Sequence, residues 1–358
     1  MLLASILTEK EMDKMSKRYF MPPEWETHAR TLISWPVRES MVYPSDYKKV
    51  MDGYREIIDA IAEFEPVTVL AHPLELEKVR EHFHNDQIDI IALEHDDAWL
   101  RDNGPTFVRD EHNQIFGMNW KFNAWGEKYT PYDLDNEVAG HILTHFGIDQ
   151  LDVPLVMEGG SIHVDGEGTL ITTEECLLNR NRNPHLTKAE IEGTLKRVLG
   201  IEKIIWLKRG LSGDETDGHV DNIACFAAPG KVMMQVCNDL QDENYDITQE
   251  NMAILKDEHD AQGRKLEVIE IEQPPAAYVN GQRLTLSYIN FYFVNNGIIL
   301  PVFGGEATDT DRQAQVILQK TFPTRSVRTV DGRAIIKEGG NVHCTTQQMI
   351  NGLKKFGF

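Results

Sequence analysis

Apolar residues recur along this chain in two rhythms, and the switches between them mark off short strands and amphipathic helices. Between 46 and 64, Val50, Tyr54, Ile57, Ile58, Ile61 and Phe64 fall at steps of three and four, which places them on one helical face. Ser45 is positioned to cap that helix and Pro66 to stop it. The runs at 31–35, 67–70 and 88–93 are short and apolar, which predicts strands, with a short helix over 74–83.

From residue 97 onward one pattern occurs at least four times: an acidic or glycine-bearing lead-in, two strands joined by a turn, often a helix, and then a further apolar strand. The hairpins are predicted at 106–118, 159–172, 222–234 and 289–300, and each turn carries the Gly, Asn, Asp or Pro that a hairpin needs. Thr187 and Glu190 form a capping box before Ile191, Leu195, Val198 and Leu199, with Gly200 after the end and a strand at 203–207. Helices over about 248–261 and 309–321 lead to strands at 266–271 and 326–330. Asp97 and Glu158 are 61 residues apart, Glu158 and His219 are again 61 apart, and Cys344 lies 125 further, about two periods. The pattern predicts an α/β fold of repeated strand-strand-helix-strand units. Stacked about an axis, such units bring Asp97, Glu158, His219, Asp221 and Cys344 to one pocket.

Composition narrows the setting. With 41% hydrophobic and 26% charged residues in 358, the chain has the make-up of a globular protein with a large core. Cys176, Cys225, Cys237 and Cys344 lack metal-finger spacing and are too sparse for a disulfide-built fold, so a reducing compartment, the cytoplasm, is expected. The apolar run at 2–7 has no basic residue before it and Glu9, Lys10, Glu11 and Asp13 after it, which is not the pattern of a secretory signal. No stretch has the length and apolarity of a membrane helix. A formal charge of −21, from 57 acidic and 36 basic residues, disfavours nucleic acid and favours a cationic partner.

The chemistry follows from the residue set. Alone, Cys344 behind Gly339-Gly340 reads as a small buried hydrophobe or as a nucleophile at the end of a strand shared with Val342. One thiol, one imidazole and three carboxylates at matching places of successive repeats suit attack on a guanidinium. Two carboxylates can each accept paired N–H bonds from that planar cation, and its electron-poor carbon can take a thiolate. His219 then serves as acid and base. Carboxylates near Cys344 raise its pKa, so thiolate formation is expected to need the bound cation.

Ser34-Trp35-Pro36, Asp97-Ala98-Trp99-Leu100-Arg101-Asp102-Asn103-Gly104-Pro105, Phe122-Asn123-Ala124-Trp125-Gly126, Glu158-Gly159-Gly160-Ser161-Ile162-His163-Val164-Asp165-Gly166, Gly218-His219-Val220-Asp221-Asn222 and Gly339-Gly340-Asn341-Val342-His343-Cys344-Thr345-Thr346-Gln347-Gln348 together resemble the agmatine deiminases of the guanidino-group-modifying, or pentein, superfamily. The resemblance implies a pentein fold, a five-bladed, pseudo-fivefold α/β propeller forming a single catalytic domain over 1–358. It implies hydrolysis of agmatine to N-carbamoylputrescine and ammonia, a step of putrescine and polyamine biosynthesis, without cofactor or metal. By matching positions, Cys344 forms an amidino-thioether, His219 is acid and base, Asp97 and Asp221 hold the guanidinium, and Glu158 holds His219 or substrate. Glu215 matches an acidic position at the substrate. Glu338 stands where the family usually has a third glycine and Asp217 where it usually has Asn, and both are expected to add acid near the site.

Other residues have plainer readings. His163 repeats the His-Val-Asp pattern of His219 but is assigned to packing; Arg101 and Asp102 are expected to form an ion pair; Cys176, Cys225 and Cys237 are assigned to the core. Trp99 and Trp125 either line an aliphatic substrate tail or pack the core. The acidic run Asp239, Asp242, Glu243 and Asp246 reads as a solvated loop, and Asp217 as no more than a turn residue if it stays clear of the site. Three alternatives stand beside the agmatine reading: a peptidyl-arginine or free-arginine deiminase, a divalent-metal hydrolase built from the two His-Val-Asp triplets and Glu158, and a non-catalytic guanidino-ligand binder. A homo-oligomer is the base-rate expectation.

Overall fold

Five small sheets share one build: an antiparallel strand pair, then a helix that carries the chain back to lay a third strand parallel to the second. A computed structural model describes residues 17–352, so the apolar run at 2–7 lies outside the described residues. The second sheet pairs Thr106–Asp110 with Ile115–Lys121, crosses through the helix Asp135–His145 to Asp149–Val156, and carries Tyr19–Phe20 on its edge. The third pairs Ile162–Val164 with Thr169–Thr173 and crosses through Lys188–Leu199 to Lys203–Leu207. The fourth pairs Ala224–Ala228 with Lys231–Val236 and crosses through Asn244–Asp257 to Glu267–Glu272. The fifth pairs Tyr292–Val294 with Gly297–Val302 and crosses through Thr308–Thr321 to Ser326–Asp331.

The first sheet draws its strand pair from both ends of the described chain. Thr346–Ile350 lies antiparallel to His28–Ser34, with Thr346 opposite Ile33 and Gln348 opposite Thr31. The helix Tyr47–Ala62 then leads to Val67–Ala71, and Leu76–His82 to a fourth strand, Ile88–Ala92. This pairing puts Cys344, just ahead of Thr346, at the lead-in of the first sheet.

The helices join neighbouring units. Tyr47–Ala62 buries Val50, Tyr54, Ile57, Ile58 and Ile61, each worth about 1.5–3 kcal/mol on burial, and packs against the fifth-sheet strand Ser326–Asp331. Thr308–Thr321 packs on Glu267–Glu272, Asn244–Asp257 on Lys203–Leu207, and Lys188–Leu199 on Tyr19–Phe20. The expected capping box is formed: Thr187 accepts the N–H of Glu190 and the Glu190 carboxylate accepts that of Thr187.

Three local expectations need correction, and one helix was not expected. Ser45 does not cap the first helix, because Pro44–Asp46 forms a tight helical turn of its own and Asp46 takes the cap position. The helix expected at 248–261 runs Asn244–Asp257. Thr248 lies inside it, donating to the Tyr245 carbonyl, and the chain turns afterwards where Asp260 accepts the N–H groups of Gln262 and Arg264. Val342 and Cys344 do not alternate on a strand; Val342–Thr345 is a single helical turn. The helix Asp135–His145 went unread. Among the described residues no helix is long and apolar enough to cross a membrane.

Candidate active site

Each sheet's lead-in delivers side chains to one centre, buried except for the half-buried Asp97: Cys344 for the first, Asp97 and Asp102 for the second, Glu158 for the third, His219 and Asp221 for the fourth, Asn290 for the fifth. The five residues expected from spacing are therefore brought together, and the 61-residue interval is a structural repeat.

Cys344 is 4% exposed, and the turn that holds it starts at Asn341, whose side chain accepts the N–H of Val342. Its Sγ receives Nδ2 of Asn290 at 3.2 Å and lies 3.6 Å from Oδ2 of Asp221. A Cβ on Gly340 would fall 2.6 Å from the Trp99 ring and 3.0 Å from Sγ, so only glycine allows this approach. Burial first, then Asp221 and Asp102, push the thiol well above its ordinary pKa.

His219 is fully buried, and among the described residues neither ring nitrogen has a hydrogen-bond partner. Nδ1 lies 3.7 Å from Oδ1 of Asp102 and Nε2 3.7 Å from Oε2 of Glu158. Burial alone would lower its pKa, but Asp102 first, then Cys176 and Glu158 beside the ring, outweigh it and hold the ring well above 6.5. Gly160 lies against this ring: a Cβ there would sit 2.6 Å from Nδ1. Glu158 is behind His219, anchored by Nε of Arg182 at 2.7 Å; burial opposes its charge, and the Arg182 guanidinium keeps it below the usual carboxylate range.

Asp221 has one oxygen engaged and one free. Oδ2 bonds Nδ1 of His343 at 2.9 Å, whose Nε2 bonds Glu24 at 2.7 Å, while Oδ1 is buried without a partner. Burial would raise the Asp221 pKa, but the His343 bond and charge bring it below the ordinary value. His343 is raised: burial and Arg101 act against its charge, and Glu24 and Asp221 prevail. An imidazolium between two carboxylates thus fixes the charge and direction of Asp221. Asp97 accepts the Ala98 N–H at 2.7 Å and the Ser40 hydroxyl at 3.1 Å, and burial lifts its pKa to about 6.

A cavity opens onto Cys344. Trp99, Trp125, Tyr54 and Met41 give it apolar walls, and among the described residues every charged side chain lining it is a carboxylate: Asp97, Asp102, Glu215 and Glu338. Both tryptophans therefore line the cavity and also belong to the core cluster around Ile57 and Ile61. Glu215 accepts the Tyr129 hydroxyl.

Several readings change here. Arg101 and Asp102 face different partners: Arg101 donates to Gln348 at 2.8 Å and to the His343 carbonyl, whereas Asp102 accepts Trp125 Nε1 at 2.9 Å and Gly160 N–H at 3.0 Å beside His219. Cys176, assigned to the core, is buried and also 3.9 Å from Oε2 of Glu158. His163 packs as expected, its Nδ1 accepting the Phe226 N–H. The metal reading loses that histidine. Among the described residues Glu158, Cys176 and His219 form the one group of three whose metal-ligating atoms all lie within 4.8 Å of one another, and the Arg182 guanidinium on Glu158 repels a cation there. The acidic run is partly structural, since Asp242 pairs with Arg283 at 2.8 Å and Glu243 accepts the Ser212 hydroxyl. Asp102, Asn290, Glu24, His343, Arg182 and Tyr129 were not foreseen. Of these, Asp102 and His343 lay inside quoted motifs, and Asn290 held the fifth repeat's lead-in place.

The chain belongs to the Porphyromonas-type peptidyl-arginine deiminase family, whose sequence pattern matches residues 20–349. It is similar to an agmatine deiminase of Pseudomonas aeruginosa, with 44% identity over 355 residues, 92% of this chain and 94% of that protein. It superposes on the agmatine deiminase of Enterococcus faecalis with a TM-score of 0.88 and 34% identity, covering 94% of this chain and 96% of that one. A cysteine-to-serine variant of the C. jejuni agmatine deiminase, solved with substrate bound, gives 0.86 and 29%, covering 94% and 98%. The fold is thus that of the α/β penteins, and the protein is an enzyme of the agmatine deiminase type.

Proposed function

We propose that this enzyme hydrolyses agmatine to N-carbamoylputrescine and ammonia through a covalent adduct on Cys344, within a single catalytic domain. The observation that carries the reading is the carboxylate-only charge of the cavity wall. A free arginine would bring its α-carboxylate against these groups, whereas agmatine brings a second cation. Cytoplasmic operation suits four free thiols.

The guanidinium docks with its N–H groups on Asp97 and on the unpartnered Oδ1 of Asp221, its carbon over Sγ. Its positive charge offsets the carboxylates that suppress ionisation, and the thiol proton leaves to solvent, to be regained when the product departs and Cys344 returns to its resting form. The thiolate pair attacks the carbon and forms C–S; the tetrahedral adduct collapses as His219 protonates a nitrogen, which departs as ammonia. Neutral His219 then takes a proton from water, oxygen adds to the carbon, and C–S breaks to return the thiolate. The hydroxyl proton ends on ammonia, giving ammonium. Glu158 and Asp102 flank His219 and favour its charged form.

The test is ammonia release from agmatine, free arginine and a blocked arginyl peptide in parallel, with and without chelator. Release from agmatine alone, unaffected by chelation, is expected. Release confined to arginine or the peptide would overturn the substrate, and tight guanidino binding without any turnover would favour the binding protein.

Acid should weaken the reaction. Asp97 and Asp102 are both lifted to about 6, chiefly by burial. Asp97 must be ionised to receive the cation, so kcat/KM for agmatine should rise with pH through about 6 and fall roughly tenfold per unit below it. A profile flat from pH 5 to 8 would remove Asp97 from guanidinium binding.

A further inference from the structure

The two acidic departures from the family pattern meet different fates. Asp217 is neutralised: Lys128 Nζ lies on Oδ1 at 2.7 Å, and Asn181 and Arg182 donate to Oδ2. It therefore adds no free charge to the site, contrary to expectation. Among the described residues no cation pairs with Glu338. Its neighbour Lys337 turns to Asp46 at 3.2 Å. Oε2 accepts the backbone N–H groups of Val42 at 2.7 Å and Tyr43 at 3.3 Å, which ties it to the stretch Ser40, Met41 and Val42 in the cavity wall. Oε1 is buried with no hydrogen-bond partner among the described residues, and the side chain lines the same cavity as Cys344. A buried carboxylate oxygen left unpaired is costly unless a donor arrives with the ligand.

We propose that Glu338 is a specificity-determining residue that receives, on Oε1, the ammonium at the far end of the substrate. This rests on the deimination reading above and deepens it, since it selects alkylguanidines that end in a primary ammonium. Glu215 stands alongside: a Cβ on Gly339 would fall 4.0 Å from its Oε2. Glu215 already accepts a hydroxyl from Tyr129, so the two carboxylates form an anionic end to the cavity in which Glu338 supplies the open acceptor. Burial raises the Glu338 pKa, and an arriving cation favours its charged form.

The test compares wild type with Glu338→Gln on agmatine and on n-butylguanidine, which keeps the guanidinium and four carbons and lacks the terminal amine. The glutamine oxygen can still accept from Val42 and Tyr43, so the loop stays in place and only the charge is lost. Glu338→Gln should lower kcat/KM for agmatine by about 10- to 100-fold, mainly through KM, the range of a charge-assisted hydrogen bond. Its kcat/KM for butylguanidine should stay within about twofold. Equal losses on both substrates, or none on agmatine, would overturn the proposal, the first leaving Glu338 a loop anchor. Calorimetric Kd values for the same two ligands separate this from the reaction itself. If wild type releases no ammonia, the deimination reading fails, while the Kd ratio between agmatine and butylguanidine still decides the role of Glu338.

Discussion

Cys344→Ala should abolish ammonia release from agmatine, a loss of about 10⁴-fold or more, while agmatine still binds. The substitution removes one sulfur from a helical turn whose geometry is set elsewhere, by the Asn341 side chain and by the N–H of His343 donating to Asn290. Asp97 and Asp221 keep their own partners, so the guanidinium site survives. Binding should hold within a few-fold, because the carboxylates that receive the cation are unchanged. Time courses of ammonia release with calorimetric agmatine binding read both effects. Activity within tenfold of wild type would mean that sulfur forms no bond to substrate. Thiolate absorbance supplies a second reading: in the empty enzyme burial, Asp221 and Asp102 keep Cys344 protonated, so absorbance should rise when a guanidinium ligand binds and fail to rise in the alanine variant.

The regular elements were legible because they rest on local chemistry. The apolar face of Tyr47–Ala62 and the capping box at Thr187 need only residues three and four apart. The 61-residue interval was legible too, since the lead-ins of the second, third and fourth units carry Asp97, Glu158 and His219, titratable groups that stand out whatever the rest of the unit does. The helix Asp135–His145 was hidden by its own function: Asp135 is buried to accept the N–H groups of Asp96 and Asp97, which sets an acid where an apolar residue would have marked the face. The pairing of Thr346–Ile350 with His28–Ser34 leaves no local trace, because the partners come from opposite ends of the chain.

The site was half legible for the same reason. Residues acting directly on a guanidinium form a chemical set and could be gathered by type. Those that hold the set in place could not. Glu24 sits in no motif and reaches His343 across 319 positions, and Arg182 follows a helical turn to clasp Glu158. Asp102 was misread because adjacency to Arg101 suggests a pair, whereas the turn Leu100–Asn103 sends the two side chains to opposite partners.

His219→Asn should lower kcat by about 10³-fold and leave KM for agmatine within a few-fold. Asparagine can fill part of the ring's space but moves no proton, and both halves of the reaction need one moved: onto the leaving nitrogen, then from water. The imidazole is equipped for the first half because Asp102 and Glu158 hold it charged at neutral pH, and having given up that proton it is ready for the second. The neighbours survive the change, since Glu158 retains Arg182 and Asp102 retains Trp125 and the Gly160 N–H. The guanidinium still meets Asp97 and Asp221, so affinity persists while turnover fails. Steady-state kinetics across pH settle the matter: a loss of only a few-fold in kcat would assign proton transfer to another group, with Asp102, at the same centre and lifted to about 6, the next to test.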